Sequence, residues 1–351
     1  MAIKKNKSPM KLFIGVFAVI VAVMVISTIL RDKIVFLGVL DNAGVTVLET
    51  IDNSLVCVFQ DGRVVLWEWD TLPQQRGDFS ANSDRMIILN VGQLATVNKQ
   101  GKKNLAVYSL PDGQKKKDIS VGWADQDIWL RISPDKNVVG LIRRNNPDST
   151  GSALYEFLTV DIEKEFLSSP ATLSIASQTE DVVDTTVDNN SILYAVGSRK
   201  DAGRIAAVDL QQGSVLWDQS YENTKEFCSC VTSPDGTFLF AGNRDGILYK
   251  LDAATGRLIQ KIQLLEAGET RPITNDYSVL NLAFSPEGQY YVATINPKAY
   301  ILKTESDEIV YAFSPADRLV SKIAFSPDSK FIATSDIRAG YPIKIWPLPE
   351  K

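Results

Sequence analysis

Residues 323–335 read Ile-Ala-Phe-Ser-Pro-Asp-Ser-Lys-Phe-Ile-Ala-Thr-Ser, and residues 341–346 then read Tyr-Pro-Ile-Lys-Ile-Trp. Ser326-Pro327-Asp328 predicts a sharp turn, because proline fixes φ and an aspartate side chain can bond the nearby backbone. Residues 330–335 predict a buried strand. The alternation of apolar and polar residues over 342–346 predicts the next strand. This stretch therefore describes a tight turn followed by two strands.

The same order of residues occurs three more times upstream. A Ser-Pro-Asp or Ser-Pro-Glu turn comes first, and a short apolar strand follows it. The earlier copies are 132–135 before 138–142, 232–236 before 238–241, and 284–288 before 290–294. A repeated turn-and-strand unit indicates a fold that is assembled from copies of one small sheet.

Residues 34–351 lack amphipathic helix patterns and consist of short apolar runs bounded by Gly, Pro, Asp and Asn. These runs form seven units, each offering up to four strands. The units span residues 45–80, 84–120, 127–168, 182–220, 226–264, 279–314 and 319–346. Four-stranded units of this length are typical of propeller blades. We therefore predict an all-β, seven-bladed β-propeller over residues 33–351.

The seventh unit has only three strands, whereas residues 33–40 form a strand left over before the first unit. We predict that this early strand supplies the missing outer strand of the last blade. Such a closure joins the two ends of the chain in one sheet and protects its edge.

An uncharged segment, residues 12–30, precedes the propeller. As a helix at about 1.5 Å per residue it would span about 28 Å, close to the thickness of a bilayer's hydrocarbon core. Four lysines lie in residues 1–11, which favours a cytoplasmic N-terminus. We predict a basic cytoplasmic tail (1–11), a single transmembrane helix (12–30), and an extracytoplasmic propeller, periplasmic or lumenal. The alternative is a cleaved signal peptide, but the run is long for one and no A-x-A-like site follows it.

The chain contains no histidine, which removes Ser-His-Asp and Cys-His catalysis and histidine-ligated zinc or haem. Carboxylate or lysine chemistry remains open. We predict no enzyme activity, no catalytic set and no cofactor. The acidic stretch 180–188 matches no EF-hand spacing, so we predict no metal site. The net charge of −5 gives no reason to expect nucleic-acid binding.

Three cysteines are too few for a disulfide scaffold. Cys57 lies in an apolar strand and is predicted to be buried. Cys228 and Cys230 flank Ser229 and are predicted to be small buried residues, with a strained redox pair as the alternative. Their oxidation state stays open.

The Ser-Pro-Asp-Gly turns and the Ile-Lys-Ile-Trp strand resemble WD40 repeats, and the resemblance covers nearly everything after the apolar N-terminus. The family's Gly-His pair is absent, because the chain has no histidine. Trp-Asp occurs only as Trp69-Asp70 and Trp217-Asp218. The resemblance implies a propeller and leaves the function open.

The fourth and fifth units are instead similar to quinoprotein-like repeats. The residues at that family's spacing are Ala207, Asp209, Gly213 and Trp217 in the fourth unit and Asp252, Thr255 and Gly256 in the fifth, where Gln260 replaces the tryptophan. We expect Asp and Gly to form the turn between third and fourth strands, and Trp to pack the blade. The resemblance implies a hybrid propeller whose repeat residues build blades.

The loops that join second to third strands share one face of a propeller, and every unit places a cation there. We predict a possible partner-binding face that contains Arg143, Arg144, Arg199, Lys200, Arg244, Lys298 and Arg338. A basic face would suit an anionic partner or headgroup. The alternative is an ordinary solvated surface, since aspartates occupy the same loops.

Two hypotheses of function follow. The first is a membrane-anchored protein-interaction scaffold or accessory subunit of a membrane complex, with protein partners and no nucleic acid. The second is a quinoprotein-like propeller that binds a cofactor or acts as an enzyme. Fold alone does not choose between them, because one fold serves many functions.

Overall fold

The computed structural model describes the following residues: 35–36, 44–71, 75–81, 83, 85–89, 92–97, 102–124, 128–144, 153–175, 180–199, 202–265, 278–315, 320–336 and 343–348. The predicted cytoplasmic tail (1–11) and transmembrane helix (12–30) lie outside these residues. In the part that is described, no helix is long and apolar enough to cross a membrane.

The described strands form seven antiparallel sheets, one for each predicted unit. The first strand, β1 (Val35–Phe36), belongs to the last sheet. The following strands build blades 1 to 3 in chain order. Blade 1 contains β2 (Val45–Ile51), β3 (Ser54–Phe59), β4 (Arg63–Glu68) and β5 (Gln75–Ser80), with a 3-10 helix at Trp69–Thr71; blade 2 contains β6 (Met86–Leu89), β7 (Gln93–Val97), β8 (Lys102–Ser109) and β9 (Lys115–Ala124); blade 3 contains β10 (Ile128–Ile132), β11 (Val139–Arg144), β12 (Ala153–Asp161), β13 (Phe166–Leu167) and β14 (Ala171–Ile175).

The remaining strands build blades 4 to 7 in the same way. Blade 4 contains β15 (Glu180–Val187), β16 (Ile192–Arg199), β17 (Ala202–Asp209) and β18 (Ser214–Tyr221); blade 5 contains β19 (Phe227–Thr232), β20 (Phe238–Asn243), β21 (Ile247–Asp252) and β22 (Leu258–Gln263); blade 6 contains β23 (Val279–Phe284), β24 (Tyr290–Ile295), β25 (Lys298–Lys303) and β26 (Ile309–Phe313); blade 7 contains β27 (Val320–Phe325), β28 (Phe331–Asp336), β29 (Lys344–Pro347) and β1.

The first strand of each blade is innermost. These seven strands contact one another in order around a ring, and β27 contacts β2 to close it. Apolar side chains fill the space between neighbouring sheets. One buried cluster joins blades 4 and 5 through residues such as Tyr194, Phe227 and Tyr249, and another joins blades 7 and 1. The predicted all-β, seven-bladed propeller is confirmed.

The ring closes as the sequence predicts. β1 pairs with β29 in antiparallel register, with Val35 opposite Ile345 and Phe36 opposite Lys344. The hydroxyl of Thr50 in blade 1 also donates to the carbonyl of Phe325 in blade 7, at 2.6 Å. The two ends of the propeller are therefore held together by sheet pairing and by contact between blades.

The four proline turns share one hydrogen-bonding pattern. In each, a buried serine accepts, on its Oγ, the backbone N–H of the residue five positions on. The pairs are Ser133–Val138 at 2.9 Å, Ser233–Phe238 at 2.9 Å, Ser285–Tyr290 at 3.0 Å and Ser326–Phe331 at 2.9 Å. Serine thus satisfies the N–H at the start of the second strand or, in blade 3, the N–H just before it, which explains why the motif recurs at this position.

The aspartates of three of these turns complete the pattern. The Asp235 carboxylate accepts the Ser233 hydroxyl at 2.5 Å and the Thr237 N–H at 3.0 Å. Burial favours the neutral carboxyl, but these hydrogen bonds outweigh it and lower the pKa of Asp235. The same balance lowers the pKa of Asp135 and of Asp328.

The outer edge of blade 3 differs from the prediction. The sequence predicts one outer strand at residues 164–167, whereas β13 and β14 both pair with β12. Between them, the Ser168 hydroxyl accepts the N–H of Thr159 at 3.0 Å. Pro170 has no N–H to offer a sheet. The outer strand is therefore interrupted at Ser168-Ser169-Pro170 and resumes at Ala171.

Candidate functional site

A cavity of about 820 Å³ lies in the central channel, toward the end formed by the turns between first and second strands. Six of the seven blades line it, and blade 2 contributes no lining residue among those described. The proline turns form its rim with Pro134, Pro234, Pro286 and Pro327. We call this space the channel cavity. Its size is that of a small-molecule pocket.

Charged side chains from four blades interact at the channel cavity. One ion pair joins blades 3 and 4: Arg131 Nη2 lies 2.9 Å from Asp184 Oδ1, and Arg131 Nε donates to the Thr185 carbonyl at 2.6 Å. Asp184 Oδ2 also accepts the backbone N–H of Cys230 in blade 5, at 3.0 Å. Asp184 can reach both because a bulge interrupts the register of β15 at Val182/Asp184.

A second ion pair crosses from blade 3 to blade 1. Lys136 Nζ lies 3.8 Å from Glu49 and donates to the Thr50 carbonyl at 2.5 Å. Lys136 therefore spans the position of blade 2, whose inner strand β6 has only four residues. Burial raises the pKa of Glu49, although the charges of Lys136 and Lys322 oppose the shift.

Lys322 is the third cation of this group. It belongs to β27, is exposed, and lines the channel cavity. Removal from bulk water lowers the pKa of Lys322 first, and the Arg131 charge lowers it further, against the opposing charges of Asp184 and Glu49. Within the described residues, the Lys322 ammonium has no ion pair of its own.

The described residues among those predicted for partner binding lie at the opposite end of the channel. They follow second strands or begin third strands, and we call this surface the loop face. Arg143 pairs with Glu156, Arg244 pairs with Glu226, and Arg144 lies over the ring of Tyr155 with 5.7 Å between its guanidinium carbon and the ring centroid. Arg199 ends β16 and Lys298 begins β25. Lys200, Arg338 and the side chain of Arg199 fall outside what the structure describes.

The quinoprotein-like pattern lies in the outer half of the ring, away from the channel. Asp209 accepts the N–H groups of Gln211 and Gln212 at 2.8 and 2.9 Å, so it forms the turn between third and fourth strands. Trp217 Nε1 donates to the carbonyl of Ala253 in blade 5 at 3.2 Å. A Cβ on Gly256 would lie 2.9 Å from the Trp217 ring. Asp209 forms the expected turn, whereas Trp217 and Gly256 join blades 4 and 5, a contact that the sequence did not predict.

The three cysteines carry free thiols. Cys57 and Cys230 are buried, and Cys228 is half-buried beside the bulge of β19. Burial raises the pKa of the Cys57 and Cys230 thiols, which makes both poor nucleophiles at neutral pH. Among the described residues, no group of three or more Cys, Asp or Glu side chains could hold a metal ion.

A quinoprotein-like fold implies a planar quinone cofactor, which needs a stacking face and cations in the channel cavity. Two aromatic rings, Phe284 and Phe325, belong to its described wall, and both pack into blade cores. The Phe284 ring lies 5.4 Å from Phe240 and 5.6 Å from Tyr291, measured between centroids. Two of the three cations are already paired with carboxylates. The described residues therefore offer neither a free stacking face nor a cluster of cations for such a group.

Comparison with known proteins locates one similarity. Residues 201–320 match the PQQ_2 family model, whose description is outer membrane protein assembly factor BamB. The matched part runs from β17 into the start of β27 and contains Asp209, Trp217, Asp252, Thr255 and Gly256, which carry the quinoprotein-like resemblance. No curated protein matches the chain. The chain is a seven-bladed, quinoprotein-like β-propeller repeat protein.

Proposed function

We propose that this protein is a non-catalytic interaction module, a membrane-anchored scaffold or accessory subunit of a membrane complex. The observation that carries the proposal is the match of residues 201–320 to a family described as an outer membrane protein assembly factor. An assembly factor acts by contacting other proteins. This chain therefore takes protein partners in a membrane setting and no nucleic acid.

The loop face is the proposed partner surface. Its described charges are held in place by pairs that cross from one loop to another. Lys225, which lies between blades 4 and 5, is 2.5 Å from Asp245 in the second-to-third turn of blade 5, and Arg244 of that turn pairs with Glu226. Charges fixed in this way give a partner a defined pattern to match, which favours specificity more than raw affinity. We include Arg143, Arg144, Arg199, Lys200, Lys298 and Arg338 in the same surface.

The proposed topology follows from the sequence of the N-terminal part. Residues 12–30 cross the membrane, residues 1–11 stay in the cytoplasm, and the propeller lies in the periplasm or a lumen. Cysteine labelling of intact and permeabilised cells tests this. For a periplasmic propeller, a cysteine placed at Lys330, which is exposed, should react with an impermeant reagent before the inner membrane is opened, whereas one at Lys5 should not; for a lumenal propeller, the cysteine at Lys5 should react first. Reaction of both cysteines from the same side of the membrane would refute the topology.

The competing function is a cofactor-binding or enzymatic propeller. A mild-detergent purification of the native protein separates the two when mass spectrometry and an absorption spectrum are recorded on one sample. Stoichiometric partner subunits without a chromophore support the interaction module. A lone protein that carries a stoichiometric chromophore contradicts it.

Two charge-removal variants test the surface. Replacement of Arg143, Arg144, Arg199 and Lys200 by serine should release partners during purification. The matched control replaces Lys164, Lys303 and Lys330 by serine. It should retain the partners, because these exposed lysines lie at the opposite end of the propeller from the loop face. Retention of every partner by the first variant would refute the assignment of the loop face.

A further inference from the structure

One cation at the channel cavity has no carboxylate partner of its own among the described residues. Five side chains interact there, three cations and two carboxylates, and two of the cations have a carboxylate partner. The group consists of Glu49, Arg131, Lys136, Asp184 and Lys322. Asp52 belongs to the exposed rim, at the turn between β2 and β3, and makes no ion pair with the group among the described residues. Lys322 is the cation without a carboxylate of its own.

Lys322 is placed where a ligand could reach it. It lines a cavity of about 820 Å³, and the charge of Arg131 repels its charge. Thr232, from blade 5, also lines the cavity, and its buried hydroxyl has no hydrogen-bond partner among the described residues. The charged amine of Lys322 is a donor that matches oxygen anions.

We infer that the channel cavity binds a small-molecule ligand through one oxyanion group, a phosphate or carboxylate, which accepts hydrogen bonds from Lys322. An anion at this position would relieve the repulsion between Lys322 and Arg131. This site lies at the turn end of the channel and is separate from the loop face proposed for partners.

The test is calorimetric titration of the full-length protein, in mild detergent and phosphate-free buffer, with inorganic phosphate and, separately, acetate. The wild-type protein should bind at least one of them at a single site. Stronger phosphate binding indicates a phosphorylated ligand, and stronger acetate binding indicates a carboxylate ligand.

Three variants assign the site. Lys322→Met should weaken binding at least about tenfold, as expected for the loss of one charged hydrogen bond, and Lys322→Arg should restore it. Glu49→Gln should tighten binding, because it removes a negative charge close to Lys322. Thermal unfolding of each variant establishes that it is folded.

A matched control and two contrary results complete the experiment. Lys303→Met removes an exposed lysine outside the channel and should leave binding unchanged. Failure of the wild-type protein to bind either anion at millimolar concentration overturns the inference, as does equal binding by Lys322→Met. Neither result bears on the loop face, so this site and the proposed interaction function are tested independently.

Discussion

A buried ion pair between blades 5 and 6 gives the sharpest prediction of stability. Lys250 Nζ lies 2.9 and 3.1 Å from the two Asp307 oxygens and 3.2 Å from the Thr304 carbonyl. The side chains are 7% and 4% exposed. Tyr291 donates its hydroxyl to Asp307 at 3.1 Å. Lys250 Nζ also lies 4.6 Å from the centroid of the Phe238 ring.

We predict that Asp307→Asn destabilises the protein by about 3–5 kcal/mol, because it leaves the Lys250 ammonium buried without a counter-charge. Asparagine tolerates the left-handed backbone of position 307, where φ is +56°. The substitution therefore isolates the loss of charge. Lys250→Met with Asp307→Asn removes both charges and keeps the apolar stem, so the double variant should lose at least about 1 kcal/mol less than the sum of the two single variants.

Urea denaturation of the full-length protein, followed by tryptophan fluorescence and by circular dichroism, measures these differences. Agreement of the two probes is needed before free energies are compared. The exposed pair Lys303–Glu308, with 3.9 Å between the charged atoms, provides the control. Lys303→Met should change stability by about 0.5 kcal/mol or less. A loss below about 1 kcal/mol for Asp307→Asn, or strict additivity in the double variant, would refute the reasoning.

Three further predictions concern turns and closure. Gly256→Ala should destabilise the protein by about 2–3 kcal/mol, because the added methyl group meets a φ of +70° and clashes with the Trp217 ring. Gly236→Ala, with a φ of +72° and no neighbour closer than 3.7 Å, should cost only about 1 kcal/mol of stability. Thermal unfolding that ranks the two variants the other way contradicts the packing at Trp217. The lowered pKa values of Asp135, Asp235 and Asp328 stabilise the fold above pH about 4, and this contribution is lost as the pH falls below that value. Urea midpoints between pH 6 and 2 should therefore fall less steeply in a variant with all three aspartates replaced by asparagine. An identical slope would show that the turns do not contribute. Deletion of residues 1–43 removes β1 and should lower the melting temperature, because β29 becomes an open edge; an unchanged melting temperature would show that β1 pairing does not close the ring.

The architecture was predictable because its main signals are local. A Ser-Pro-Asp turn satisfies its own backbone, so each copy predicts a strand boundary without knowledge of the rest of the chain. The missing fourth strand in the last unit predicted the pairing of β1 with β29. The outer edge of blade 3 was mispredicted, since Ser168-Ser169-Pro170 has the composition of a turn although the strand continues beyond it.

The charged group of the channel cavity was not predictable in the same way. Glu49, Arg131 and Lys322 lie on different blades, and only ring closure brings them together. Each follows the strand alternation of an ordinary solvent-exposed position. One signal was present in the sequence: Lys322 is a charged residue in the innermost strand of its blade. A propeller places the side chains of such strands in the channel and not in bulk solvent.

The candidate partner surface was predictable in position more than in charge. Topology alone places second-to-third loops on one face, so residues such as Arg143 and Arg244 were assigned to the loop face from sequence. Their carboxylate partners come from neighbouring strands and loops, Glu156 from β12 and Glu226 from the segment before β19. Such pairing depends on side-chain geometry, which the sequence pattern does not contain.

Site-specific photo-crosslinking in intact membranes tests the central claim most directly. A photoreactive residue at Arg244 samples the loop face, and one at Glu287, in the turn between β23 and β24, samples the opposite end of the propeller. The interaction module predicts a discrete, saturable crosslink to a protein partner from position 244 and none from position 287. Crosslinks from position 287 alone, or none from either position, would contradict it.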